Sequence, residues 1–349
     1  MDCASCGIRS ESKQRLRKRV VAQVLFNAER PKIGRRLSLA ALLALVAQRF
    51  SLAESKKQSE LSELCIGPPN ADELRDLFEN ESAWADTRRF VKSLVYADHD
   101  FKKLEDGELR FIFSRMREWG LSLELEVGAV KEWGVTARDT FKWEVEHWDR
   151  VVRLGGVISA ISMDEPLVAA TLLLHRSYEY GLEQTLDFIS LARSRLPGVV
   201  LGEVEPYPHF TQKVHQRWID DLQRGLKALG QTGLDFYRID PDWSAYVGNA
   251  GFWPGVRTVE DYCRSQNLPF SLIYWAADYP RTARDHLATD QTWYSGVMYE
   301  GRAYAEAGGR PDQYVISSWV SAPSTAVPDG GDFTFTRSVR DFARQFVKP

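Results

Sequence analysis

From Leu64 onward the chain alternates between two hydrophobic periods. Short runs rich in Val, Ile, Leu and aromatic residues have the length and composition of buried strands: "ELCIGPP", "FVKSLVYAD", "LSLELEVGAV", "VISAISMDEP", "VVLGEVEPYP", "LDFYRIDPDW", "FSLIYWAADYP" and "QYVISSWVSAP". Between them, apolar residues recur every three or four positions. In "DGELRFIFSRMREWG", Leu109, Ile112, Phe113, Met116 and Trp119 share one helical face, with Asp106 placed to cap the start and Gly120 the end. Val214, Trp218, Ile219, Leu222 and Leu229 repeat the pattern before Gly230. Gly120, Gly156, Gly198 and Gly233 each stand directly before a strand, whereas the strand-to-helix joints are longer and rich in Pro, Asp, Trp and Tyr. Eight strand–helix units with short loops at one end and elaborate loops at the other predict a single (β/α)8 TIM barrel of α/β class over residues 54–349. A doubly wound sheet would place a glycine-rich phosphate turn after its first strand, where Ile66-Gly67-Pro68-Pro69 stands instead.

The second pattern lies at the strand ends. Strand 2 finishes on Asp98, strand 3 on Glu126, strand 4 on Asp164-Glu165 and strand 5 on Glu205. Strand 6 finishes on Asp240 and Asp242, strand 7 on Asp278, and strand 8 on Trp319 and Ser321. In a barrel these carboxylates converge on one mouth. Period-two alternation puts Glu124 and Glu126 on the axis opposite Leu123 and Leu125, and Arg238 with Asp240 on the axis of strand 6. The same reading turns Glu203 and Glu205 inward on strand 5, and Lys92, Tyr96 and Asp98 inward on strand 2. Arg238 and Lys92 would then neutralise the deeper Glu124 and Glu203.

Composition changes this picture little. The 349 residues are 44% hydrophobic and 27% charged with a net charge of −3, as in ordinary soluble proteins, and this balance excludes phosphate-backbone binding as the main activity. Cys3-Ala-Ser-Cys6 has metal-site spacing but no second pair; Cys65 and Cys263 stand alone. The N-terminus differs in kind: a basic tract, Arg35-Arg36, an apolar run from Leu37 to Ala47 and the small residues Ser51-Leu52-Ala53 form a signal-peptide pattern. Residues 1–53 are therefore expected to lie outside the working fold, and the protein to be exported to the periplasm or secreted by a Sec or Tat route. The apolar run is too short for stable membrane insertion.

Crowded carboxylates at a mouth supply what hydrolysis of a glycosidic bond needs, a protonated acid beside an ionised base or nucleophile. Glu165, fixed by Pro166, is the expected acid; Glu205 or Asp240 is the expected nucleophile or base. Glu126, Asp164, Tyr96, Asp242 and Asp278 would bind hydroxyls, and Trp243, Trp275 and Trp319, with Trp133 and Trp253 nearby, would stack on sugar rings. The expected partner is a carbohydrate, with no cofactor required.

These residues resemble the glycoside hydrolase barrels, especially the retaining clan whose acid/base glutamate ends strand 4 in Asn-Glu-Pro. Asp164-Glu165-Pro166 occupies the matching place, which implies the acid/base position for Glu165. Asp164 stands where the clan has Asn, and strand 7 ends in Asp278 where the clan has a nucleophilic Glu. "MDEP", "EVEP" and the strand-8 "SSW" also look like exported barrels of bacterial polysaccharide systems.

Two rival readings share the same residues. Asp98, Glu126, Asp164, Glu205 and Asp240 could hold Ca²⁺ or Mg²⁺ in a phosphodiesterase-like hydrolase, although His99, His147, His175, His209, His215 and His286 show no HxH or HExxH spacing. A non-catalytic saccharide-binding barrel of polysaccharide assembly or export would keep the tryptophans and not need Glu165.

Overall fold

Eight parallel strands close on themselves in sequence order. The computed structural model describes residues 64–246, 249–277 and 288–347. The signal-like segment, the Cys3–Cys6 pair and Asp278 lie outside the described residues. The strands are β1 (Leu64–Gly67), β2 (Ser93–Ala97), β3 (Ser122–Val127), β4 (Ile158–Asp164), β5 (Val200–Tyr207), β6 (Phe236–Pro241), β7 (Phe270–Tyr274) and β8 (Gln313–Ser317). Each is followed by a helix: α1 (Ala71–Glu79), α2 (Asp106–Trp119), α3 (Ala137–Arg153), α4 (Tyr178–Arg195), α5 (Gln212–Ala228), α6 (Phe252–Ser265), α7 (Asp290–Glu306) and α8 (Phe335–Phe346). The fold is a (β/α)8 barrel. Among the described residues no helix is long and apolar enough to cross a membrane.

The helices form where the apolar period and the stop signals agree. In α2, Leu109, Ile112, Phe113 and Met116 are buried against the sheet, and Gly120 ends the helix in the left-handed region at φ 68°. Its start lies one residue upstream of expectation: Glu105 holds the cap position and its N–H donates to Glu108 Oε2 at 2.6 Å. In α5, Trp218, Ile219, Leu222 and Leu226 are buried, while Leu229 falls past the helix end and is exposed.

Strand register decides which residues face the axis. Val95 pairs with Glu124, Ala97 with Glu126, Val204 with Arg238 and Arg238 with Ser271. The fully buried Arg238 fills the interior, donating from Nη1 to Glu124 Oε1 at 2.6 Å, from Nη2 to Gln313 Oε1 at 2.6 Å and from Nε to Ser271 Oγ at 2.8 Å. Every donor of this buried cation that points at a neighbour is thereby answered, which is the condition for a charge to persist inside a barrel. Below it, Phe236 packs against Gly202 so closely that a Cβ there would lie 2.3 Å from the ring. Small residues on the inner face of β5 are thus required by a large residue on β6.

That requirement overturns part of the sequence reading. On β5 the inner face carries Gly202, Val204 and Pro206, and Glu203 and Glu205 point outward beneath the helices. Glu203 accepts from Trp218 Nε1 of α5 at 2.8 Å instead of pairing with Lys92. On β2 the inner face is Ser93, Val95 and Ala97; Tyr96 turns outward and packs against Phe101, with ring centroids 5.1 Å apart. Both glutamates and the tyrosine lie in the layer between sheet and helices.

Candidate functional site

The β4–α4 joint carries the central side chain. Asp164 ends the strand, and the Glu165 N–H still donates to Val204 O of β5 at 3.0 Å, so Glu165 is held to the barrel rim. The backbone then reverses sharply: Glu165 is left-handed at φ 50°, ψ 48°, and Pro166 opens a short helical turn over Pro166–Val168. A non-glycine residue in that region is strained by about 1–2 kcal/mol. Glu205 offsets the strain from behind, accepting Leu167 N–H on Oε1 at 2.5 Å and Val168 N–H on Oε2 at 3.3 Å. Glu205, one of the two carboxylates expected to be the nucleophile or base, is therefore outside the pocket, acting on the turn that presents Glu165.

A pocket of about 430 Å³ opens at the C-terminal ends of the strands, lined by Glu126, Asp164, Glu165, Asp240, Asp242, Trp275 and Trp319 together with Val204, Pro206, His209, Pro241 and Ile273. That volume falls in the range of small-molecule sites. Seven of the sequence-predicted residues meet there: Glu126, Asp164, Glu165, Asp240, Asp242, Trp275 and Trp319. Tyr96, Glu205 and Trp243 do not line it. Trp243 opens a short turn behind β6 and packs on α7, where a Cβ at Gly296 would lie 2.6 Å from its ring. Trp253 is buried in α6 against Phe252, and Trp133 is exposed beside Trp143. Asp98 leaves the mouth altogether and lies under α3, where it accepts from Trp148 Nε1 at 3.1 Å. The five-carboxylate set expected of a Ca²⁺ site is consequently divided among three places.

Lys131 was not foreseen. It stands in the loop after β3, is 8% exposed, and donates from Nζ to Asp164 Oδ2 at 2.5 Å. The signal for it was charge balance: acids gathered at a low-dielectric rim require a cation, and Lys131 is the basic residue four positions past Val127. Burial pushes its pKa down, but Asp164, Glu165 and Glu126 outweigh that and hold it above its ordinary value. It is an ammonium, suited to orienting Asp164 and unsuited to attack as a free amine.

The acids around it are displaced in the other direction. Burial, then Asp164 and Asp242, raise Glu165 to about 7, with Lys131 opposing. Glu126 is raised to about 8 by burial and Asp164, opposed by Arg238 and Lys131. Asp240 is pushed well above its ordinary value by burial and by Glu165, Asp164 and Glu126, while the Trp275 hydrogen bond pulls it back. Trp275 Nε1 bifurcates to Asp240 Oδ1 at 3.0 Å and Pro241 O at 2.9 Å. Its ring packs at 4.4 Å on Trp319, which is 48% exposed and so offers a free aromatic surface at the rim. The site thus holds carboxyls that keep protons near neutral pH, a carboxyl paired with lysine, and an aromatic wall.

No family model matches the chain, and no curated protein matches it significantly. Similar solved structures include a glucosidase from Croceicoccus marinus, 13% identical over 83% of this chain and 68% of that one, TM-score 0.49. D-psicose 3-epimerase from Clostridium cellulolyticum H10 is 13% identical over 82% of this chain and all of its own, TM-score 0.45. The carboxyl transferase domain of Rhizobium etli pyruvate carboxylase is 14% identical over 91% of this chain and 53% of that one, TM-score 0.44. The chemistry of this chain rests on its own residues.

Proposed function

We propose that this barrel is a glycosidase-type hydrolase in which Glu165 is the proton donor and Asp240 the partner carboxylate, acting as nucleophile or base on a polysaccharide or oligosaccharide. The observation that carries the reading is the presence of two electrostatically coupled carboxyls in one pocket. Burial and neighbouring acids raise Glu165 to about 7. Asp240, raised by burial and by Glu165 while its Trp275 hydrogen bond pulls it back, lines the same pocket, so the pair can divide protons between a donor and a base. An acid poised at the working pH gives the best compromise between being protonated and releasing its proton to the leaving oxygen. Glu126, Asp164 and Asp242 are placed to bind sugar hydroxyls, and Trp319 to stack on the apolar face of a ring. Lys131 pairs with Asp164, which stands where the clan it resembles has Asn and offers an acceptor there. The expected setting is outside the cytoplasm, in polysaccharide processing.

The test is Glu165→Gln, assayed on a panel of polysaccharides and oligosaccharides. Turnover should fall by about 10²–10⁴-fold, the share that a general acid supplies, while calorimetric binding of the same saccharide persists. Undiminished turnover would remove Glu165 from the reaction. Binding without turnover in the wild type would instead favour a saccharide-binding barrel.

A further inference from the structure

A second polar centre lies outside the barrel wall, beneath α3. Asp98, at the end of β2, meets Glu144 and His147 of α3, and their ligand atoms lie within 4.8 Å of one another. The α3 pair is separated by three residues, which sets both side chains on one helical face. Asp98 and Glu144 are each 1% exposed, and none of the three lines the pocket of the catalytic proposal.

Each carboxylate is anchored by one oxygen to a donor of the fold, and the two carboxyls lie within hydrogen-bonding reach of one another. Asp98 Oδ2 accepts from Trp148 Nε1 at 3.1 Å, and Glu144 Oε1 accepts from Gly128 N at 2.7 Å. The remaining atoms, Asp98 Oδ1, Glu144 Oε2 and His147 Nδ1, are buried with no hydrogen-bond partner. Among the described residues no lysine or arginine forms an ion pair with either acid, although the Lys131 charge, committed to Asp164, acts on Glu144 from beyond contact; the imidazoles are His99, 3.9 Å from Asp98 Oδ1, and His147, 3.8 Å from Oδ2. Two buried carboxyls this close require a shared proton or a cation between them.

We propose that Asp98, Glu144 and His147 bind a first-row divalent cation, Zn²⁺ or Mn²⁺. Two carboxylates cancel its charge, and the imidazole nitrogen favours such an ion over Ca²⁺ or Mg²⁺, which prefer oxygen. Donors at about 2.0–2.2 Å from a metal stand roughly 3.5 Å apart, so small side-chain rotations close the site around the ion. The Trp148 and Gly128 contacts orient the ligands as outer hydrogen bonds do in metal sites. Trp143 packs on His147 with ring centroids 4.3 Å apart. The half-exposed His99 stands beside Asp98. Bound there, the ion ties the ends of β2 and β3 to α3, as a brace for the wall that carries Glu126.

Elemental analysis of the purified full-length chain, followed by calorimetric titration of the chelator-treated protein with Zn²⁺ and Mn²⁺, tests this. One ion per chain is expected, with a rise in melting temperature on addition. Affinity should fall at least tenfold in His147→Ala and in Glu144→Gln, and hold in Glu165→Gln and in the Cys3→Ser/Cys6→Ser double variant. His147 is partly exposed on a helix, so His147→Ala keeps the test valid if Glu144→Gln does not fold. No heat and no ion in the wild type would overturn the proposal and leave a proton shared between Asp98 and Glu144 as the occupant. Unchanged affinity in His147→Ala would overturn it too, by placing the ion elsewhere.

Discussion

The backbone N–H of Leu167 donates to Glu205 Oε1 at 2.5 Å, tying the left-handed turn at Glu165 to the outer face of β5. Glu205 is therefore a positioning residue, separated from the pocket by the barrel wall. In Glu205→Gln, one amide oxygen can still accept from Leu167, but an NH₂ group is set against the Val168 N–H. The variant should lose about 1–3 kcal/mol of stability in urea melts, the cost of an unsatisfied buried donor. Catalysis should fall by about 10²-fold through displacement of Glu165, with kcat affected more than KM. Unaltered kcat would mean that the turn does not depend on this anchor.

Glu165 itself carries a conflict between fold and site. Its φ of 50° is costly for any residue with a Cβ, and its carboxyl is crowded by Asp164 and Asp242. Glu165→Gly should remove both penalties and stabilise the protein by about 1 kcal/mol, after allowing for the extra freedom of glycine in the unfolded chain, while abolishing turnover. Chemical denaturation of the two proteins side by side checks the sign; destabilisation would show that the side chain holds the turn together.

Lys131 pulls the pKa of Glu165 and of Glu126 downward. In Lys131→Met both should move up, so the basic limb of the pH–rate profile, which reports loss of the Glu165 proton, should shift to higher pH. Asp164 loses its ammonium partner, which should cost about 1–2 kcal/mol. A basic limb that stays in place would separate Glu165 from the observed titration.

Buried acids also set the pH dependence of stability. Glu126 and Glu203 are raised to about 8, and Glu73 and Glu165 to about 7, in each case chiefly by burial. Between the ordinary carboxylate value and these raised values the folded chain holds more protons than the unfolded one, so stability must fall as pH rises through that window. Melting temperature should be higher near pH 5.5 than near pH 8.5, by about 5 °C or more. Calorimetry that finds the reverse order would place these carboxyls in a more solvated setting.

The sequence carried the architecture because it depends on local rules. Strand and helix periods, and glycine stops such as Gly120, are properties of neighbouring residues, and they predicted eight units that the structure contains. Strand 3 was also legible: Leu123 and Leu125 on one side and Glu124 and Glu126 on the other leave no doubt about the inner face. Strand 5 misled because both of its faces combine apolar and small or acidic residues. Leu201, Glu203, Glu205 and Tyr207 share the outward face, and alternation alone does not say which face is inner.

By itself the sequence determined the eight-fold alternation, the end of the barrel at which the acids gather, and the inward course of Glu124, Arg238 and Asp240. Tertiary structure alone decided that Phe236 would take the space inside β5 and send Glu203 and Glu205 outward, that Lys131 would reach Asp164, and that Asp98 would join α3 rather than the mouth. The physical reason is that a buried charge goes where its partner is. Those partners (Trp218 Nε1, Leu167 N, Trp148 Nε1) belong to other segments of the chain, brought to each strand only when the barrel closes.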